Sequence, residues 1–157
     1  MEKQEKIVQM FNDIAPTYDL ANRVLSMGAD VSWRKIACKT VLSNFKDSSV
    51  NIADVACGTG DMMGFWQKTA GEFNAKIENL IGVDPSSGML AVAKQKFPEF
   101  KFIEALATQT TLDSGSVDVL SISYGIRNVV EREAALREFN RVLKMGGYAV
   151  VLEFTKR

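Results

Sequence analysis

The chain has 157 residues, of which 46% are hydrophobic and 24% charged, with 19 basic and 19 acidic side chains and no histidine. This is the composition of one globular domain that can bury a core without disulfide or metal staples. Balanced charge excludes binding driven by a basic surface, so no nucleic acid partner is expected, and the lack of histidine excludes His-based triads and the common histidine zinc sites, so no metal is expected either.

The N-terminal stretch MEKQEKIVQMF is charged and lacks the apolar centre of a secretion signal. Cys38 and Cys57 make no disulfide framework, so a reducing, cytoplasmic setting is expected. Ile7, Met10, Phe11 and Ile14 recur at helical spacing and predict a helix that stops before Pro16. Leu20, Val24 and Met27 predict a second helix ending at Gly28. Trp33, Ile36, Ala37, Val41 and Phe45 predict a third, capped by Asp30 or Ser32, with Arg34 and Lys35 on a solvated face. Residues 1–49 thus read as a helical cap on an α/β core over 50–157, the two forming one domain.

From Val50 the pattern becomes strand, turn, helix, repeated. NIADVA is a buried strand followed by the turn CGTGD, and a helix runs from about Asp61 to Thr69. LIGVD is a second strand, after which Pro85 and Ser86 open a helix with Met89, Leu90, Ala93 and Phe97 on one side. KFIEAL and VDVLSISY are the third and fourth strands. EREAALREFNRVLK is a helix with Leu136, Phe139 and Leu143 on its apolar stripe, ended by Gly146 and Gly147, and YAVVLEF is the fifth strand. Strands alternating with helices of this length predict an open, doubly wound, Rossmann-like parallel sheet.

The turn Ala56-Cys57-Gly58-Thr59-Gly60-Asp61 lies where such sheets bind ligands. Gly58 and Gly60 allow a sharp bend and close approach of a ligand, backed by the free amides of a helix start. Asp84 ends the second strand, where a carboxylate can accept both hydroxyls of a ribose. Asp54, inside the first strand, is placed to hold an ammonium group. The third glycine of the GxGxxG dinucleotide fingerprint is replaced by Met63, which crowds the space of a pyrophosphate. A ligand with adenosine but no phosphate fits better, and S-adenosylmethionine is such a ligand. Cys57 has no base partner and reads as packing. The methionines Met10, Met27, Met62 and Met63 read the same way, while Met89 can line an adenine pocket.

Three stretches carry a resemblance to a known family. MFNDIAPTYDLANRVLSMGADVSWRK, DVACGTGD and SISYGIRNVVEREAALREFNRVLKMGGYAVVLEF resemble the two signatures and the cofactor turn of the ubiquinone/menaquinone biosynthesis C-methyltransferases, a class I S-adenosylmethionine-dependent family. The resemblance spans essentially the whole chain. It implies methylation of a ring carbon of a polyprenyl quinol, a demethylmenaquinol or ubiquinol precursor, in respiratory quinone biosynthesis. It implies that Thr59, Asp84, Leu106, Ala107 and Ser123 touch the cofactor. It also implies that Arg127 stabilises the substrate phenolate, that Asn128 holds the ring oxygen or local backbone, and that Tyr18 closes over the cofactor with Asp19 beside it. A polyprenyl substrate implies peripheral contact with a membrane.

The chain departs from that family at several positions. Leu106 stands where Asp or Asn is usual, leaving Glu104 or backbone groups to meet the adenine amine; Asp30 replaces a histidine, Val31 an arginine and Met145 a proline. The family sheet has seven strands in the order 3-2-1-4-5-7-6. This chain ends at Arg157, so the order 3-2-1-4-5 is expected, with an open edge at the fifth strand that invites pairing with a partner chain or a second copy. Two readings follow: an active C-methyltransferase, for the quinol or another small phenol, or a cofactor-binding module without activity.

Overall fold

The computed structural model describes residues 2–17 and 29–153. Helix α1 (Glu2–Ile14) passes through a 3-10 turn, Ala15–Thr17. The predicted helix over Leu20, Val24 and Met27 lies outside the described residues, as do Tyr18 and Asp19. Helix α2 (Ala29–Leu42) is followed by β1 (Ser49–Val55), α3 (Asp61–Glu72), β2 (Lys76–Asp84), α4 (Ser87–Lys96), β3 (Lys101–Glu104), β4 (Val117–Ser123), α5 (Arg132–Val142) and β5 (Leu143–Leu152). The strands form one sheet in the order β3-β2-β1-β4-β5, every neighbouring pair parallel.

Both faces of this sheet are covered, which is why its strands read as apolar runs with little alternation. Val50, Ile52 and Val119 pack on one face with Cys38 and Leu42 of α2 and Met62, Met63 and Trp66 of α3. Ala53, Val55, Leu120 and Ile122 pack on the other with Ala135, Phe139 and Val142 of α5. Ser86 caps α4, its hydroxyl accepting a hydrogen bond from the Met89 amide at 3.1 Å.

Three expectations about the helices are corrected. The α2 stripe is rotated from the apolar one: Trp33 is 42% and Ile36 62% exposed, whereas Asp30, Arg34, Cys38, Val41 and Leu42 are buried. Arg34 is therefore no part of a solvated face, although Lys35 is exposed. On α5 the buried stripe is Ala135, Phe139 and Val142, and Leu136 faces out. Gly146 and Gly147 do not end that helix; the chain turns straight into β5 at Leu143, and both glycines sit inside the strand, beside a register shift against β4.

Candidate functional site: a cavity at the strand C-termini

The C-terminal ends of β1, β2 and β4 open into a cavity of about 470 Å³, walled by Gly58, Asp84, Met89, Leu106, Ala107 and Ser123 from the core. Its roof is α1, which contributes Ile7, Val8 and Phe11. Asn128 and Val129 close the side beyond β4. The cavity thus unites most of the predicted cofactor residues with one predicted catalytic residue, Asn128.

Asp84 is the anchor of this site. Its Oδ2 accepts the Gly58 amide at 2.9 Å and its Oδ1 accepts the Ser86 amide at 2.8 Å. Each carboxylate oxygen can accept a second hydrogen bond, so two acceptor positions remain for ribose hydroxyls. Burial raises the Asp84 pKa, and the two backbone amides oppose that shift. Glu104, paired with Asp84 in the β2–β3 register, lines the same cavity. Leu106 and Ala107 supply an apolar wall suited to a planar base.

A smaller cavity of about 20 Å³ lies at the inner end, lined by Arg34, Asp54, Thr59 and Asp61. It shares Ala56, Gly58 and Ser123 with the large one, so the two abut. Asp54 points to the face covered by α2 and α3, because it alternates with Ala53 and Val55 along β1. Its Oδ1 accepts the Ser121 hydroxyl at 2.6 Å, and Ser121 accepts the indole N–H of Trp66 at 3.0 Å. Burial pushes the Asp54 carboxyl up to about 7, against the lowering effects of Ser121 and Arg34.

Gly60 lines neither cavity. It begins α3 with φ +90°, and a Cβ there would stand 3.0 Å from the Phe97 ring just past α4, so backbone shape and that ring both demand glycine. Met63 is fully buried against the sheet, its Sδ 2.7 Å from the position a Cβ on Gly82 would take. It therefore fills the gap between helix and sheet instead of crowding the ligand. The third fingerprint glycine serves close helix–strand packing, and here the glycine at that contact is Gly82 on the strand side. Burial raises the Cys57 pKa well above a thiol's ordinary value, so this residue is packing and no nucleophile.

Arg127 is not among the cavity's lining residues. It lies on the 3-10 turn Ile126–Asn128 with its side chain 55% exposed, and its Nε is 3.5 Å from Glu153 Oε1. Sequence reasoning misses three contributors. Arg34 reads as a surface residue but lines the inner cavity. Ala56 and Tyr124 adopt positive φ at the ends of β1 and β4, next to the site. Left-handed backbone at non-glycine residues costs of order 1–3 kcal/mol and has no signature in residue type.

A five-stranded parallel sheet in this order, a glycine turn after β1 and an aspartate ending β2 that holds the turn's amide define a class I S-adenosylmethionine-dependent methyltransferase. Solved structures agree on the fold. A DhpI complex with S-adenosylhomocysteine (SAH) superimposes with a TM-score of 0.74 at 18% identity, covering 98% of this chain and 70% of that one. An S-adenosylmethionine-dependent methyltransferase of Thermotoga maritima gives 0.67 at 25% identity, covering 92% of this chain and 60% of the other. A model of the ubiE/COQ5 methyltransferase family matches residues 1–157, and the chain belongs to that family. The ubiquinone/menaquinone biosynthesis C-methyltransferase UbiE of Campylobacter jejuni is 63% identical over 157 residues, covering all of this chain and 67% of that protein. The demethylmenaquinone methyltransferase of Chlorobaculum tepidum is 38% identical over 153 residues, covering 97% of this chain and 61% of that protein.

Proposed function

We infer that this chain methylates a ring carbon of a polyprenyl quinol in quinone biosynthesis, with S-adenosylmethionine as methyl donor. The observation that carries the reading is the single cavity that joins the Asp84 anchor to an apolar mouth beside Asn128. When bound, the cofactor supplies a methyl group already activated on a sulfonium. The protein's task is then positioning, desolvation and charge stabilisation at the acceptor. Asp84 and Gly58 fix the ribose, with Glu104 or backbone groups meeting the adenine beside Leu106, Ala107 and Met89. Asp54 and Thr59 face the amino-acid end, and Ser123 stands between the two ends. Asn128 holds the ring oxygen, and Arg127 stabilises its developing negative charge. Tyr18 closes the cofactor from the N-terminal side.

The helical segment 1–49 acts in this reading as a cap on the core 50–157, since α1 roofs the cavity. No helix among the described residues is long and apolar enough to cross a membrane. In this reading a cytoplasmic protein reaches the polyprenyl tail through peripheral contact with the bilayer surface. The outer edge of β5, with Tyr148 and Val151 partly exposed, supports pairing with a second copy. The nearly unbroken signature around Arg127 and Asn128, within a family match over residues 1–157, favours an enzyme over a binding module.

The test is calorimetric titration with SAH beside an Asp84→Ala variant, followed by transfer of labelled methyl to a demethylmenaquinol with a short tail. Micromolar binding lost in the variant, with methyl incorporated into the quinol, is the expected result. Binding without incorporation would favour the inactive module, and methylation of simple phenols alone would move the substrate class.

A further inference from the structure

The inner cavity holds one group that the cofactor reading above leaves unused. Arg34 is only 5% exposed, and its Nε makes no hydrogen bond. Asp30, one helical turn earlier, has its Oδ2 3.9 Å from that Nε, and the guanidinium lies over the Tyr124 ring at 5.2 Å from the centroid. A buried guanidinium N–H left without an acceptor is costly, and such groups in native structures call for an explanation. Here the explanation is geometric. Arg34 lines the same small cavity as the carboxylate of Asp54 and the hydroxyl-bearing Thr59 and Ser123. A cation and a carboxylate thus line one small space, which Leu106 and Ala107 do not reach, and the other acid of that lining, Asp61, is paired with Lys96 at 2.7 Å. That pattern is complementary to a zwitterion.

We propose that Arg34 receives the carboxylate of the cofactor's amino-acid group, so that Arg34 and Asp54 together read both charges of that zwitterion. Arginine suits this role because its planar fork matches a carboxylate and stays charged at any working pH. The location explains why α2 buries a polar face and turns Trp33 and Ile36 outward. The inference rests on the cofactor assignment of the preceding subsection.

The experiment compares two ligands that differ in this group. SAH carries the amino-acid zwitterion, while 5′-methylthioadenosine keeps the adenosine and thioether and lacks it. Both are titrated against the wild-type chain, Arg34→Met and Asp84→Ala. The expected result is that Arg34→Met weakens SAH at least tenfold and leaves 5′-methylthioadenosine within about twofold, whereas Asp84→Ala weakens both. Equal weakening of both ligands by Arg34→Met, or of neither, overturns the proposal.

Removing Arg34 alone takes a charge partner from the buried Asp30 and can destabilise α2. The double variant Asp30→Asn, Arg34→Gln removes both charges while keeping polar side chains, and the same ligand ratio is read from it. A decarboxylated SAH then isolates the single group, because it is expected to bind wild type and the double variant equally. A wild-type chain that binds neither SAH nor 5′-methylthioadenosine overturns the cofactor reading itself and this proposal with it.

Discussion

Asn12 of α1 and Gly88 of α4 are pressed together so closely that the helices meet through backbone. The Asn12 Oδ1 accepts the Gly88 amide at 2.8 Å and the Ser86 hydroxyl at 2.6 Å. A Cβ on Gly88 would lie 3.0 Å from both the Cα and the carbonyl oxygen of Asn12. At the other end of α1, Gln4 donates to the Asn128 carbonyl at 3.4 Å and accepts from the Val130 amide at 3.2 Å. The roof of the cavity is thus fastened at both ends, and the fastening points are the β2–α4 turn and the segment that carries Asn128.

This predicts that the roof controls exchange of the cofactor. Gly88→Ala forces α1 outward by a few tenths of an ångström, while alanine itself favours α4 by up to about 1 kcal/mol. The thermal midpoint should therefore change little, and SAH should dissociate several-fold faster. Asn12→Ala should act in the same direction, because it releases two donors. Stopped-flow displacement of SAH checks the rate, and hydrogen exchange over residues 2–14 checks the opening. An unchanged dissociation rate in both variants would remove the role assigned to α1.

The two ends of this fastening also mark what could be read from residue order. Strand order, parallel pairing and the positions of Gly58, Asp84 and Ser123 were legible because they depend on local pattern and on rules of chain crossing. The rotation of α2 was not. Its apolar residues Trp33 and Ile36 gave a convincing stripe, but the helix buries Asp30 and Arg34 because a site lies beneath it. Sequence periodicity assigns polar residues to solvent, and it fails where polarity is kept inside for a ligand. The Gly146-Gly147 pair misled for a different reason: glycine after a helix suggests a cap, whereas here Gly146 bends a strand at φ +78°. Nor could the remote contact between Asn12 and Gly88 be read from order, since it depends on tertiary packing alone.

Asp54 makes the cofactor affinity and the stability respond to pH in opposite directions. Its carboxyl titrates near about 7 in the folded chain, raised first by burial, against about 4 when unfolded. Between those values the folded chain holds a proton that the unfolded chain has released. Stability contributed by this group is therefore full below about pH 4, falls as pH rises towards about 7, and is level above that, with a slope of at most about 1.4 kcal/mol per pH unit. Asp54→Asn should remove that slope from urea unfolding curves measured across the range. Holding an ammonium needs the ionised carboxylate, so SAH affinity should rise with pH up to about 7. It should decline again at still higher pH, where the α-amino group of the ligand loses its proton. In Asp54→Asn the rising limb should vanish while the falling limb remains, and persistence of the rising limb would assign it to another group.

Arg127 and Asn128 are neighbours with different surroundings, and their substitutions should separate chemistry from support. Asn128 lines the cavity, whereas Arg127 is half exposed and 3.5 Å from Glu153. If Arg127 stabilises the phenolate, Arg127→Met should lower kcat by about 100-fold, the usual cost of one preorganised donor, with SAH affinity unchanged. Arg127→Lys should recover part of this loss, because the charge is kept. Asn128→Ala should lower kcat and raise KM for the quinol together. A partly exposed ion pair contributes little to stability, so a role confined to Glu153 would leave kcat near wild type and shift the thermal midpoint by a degree or two at most.

The packing of α3 on the sheet offers a test away from the ligand. Gly82, in the middle of the sheet on β2, is covered by three side chains at once. A Cβ there would stand 2.7 Å from Met63 Sδ, 2.8 Å from Cys57 Sγ and 2.9 Å from Phe102 Cδ1. Real Cβ atoms do not approach so closely, and these neighbours are held in the core, so Gly82→Ala must displace the glycine turn through Cys57 and the helix through Met63. Overpacking of this kind costs about 1–3 kcal/mol. The flexible Met63 is the neighbour best able to yield. Gly82→Ala combined with Met63→Ala should therefore cost less than the sum of the two single losses, whereas Gly82→Ala with a substitution at exposed Met10 should be additive. Urea unfolding of the single and double variants beside wild type measures the coupling. SAH titration of Gly82→Ala should show weaker binding as well, because Cys57 precedes Gly58, whose amide is held by Asp84. Additive losses for Gly82 and Met63 would mean that the strain is relieved elsewhere, through the Phe102 ring or the strand itself.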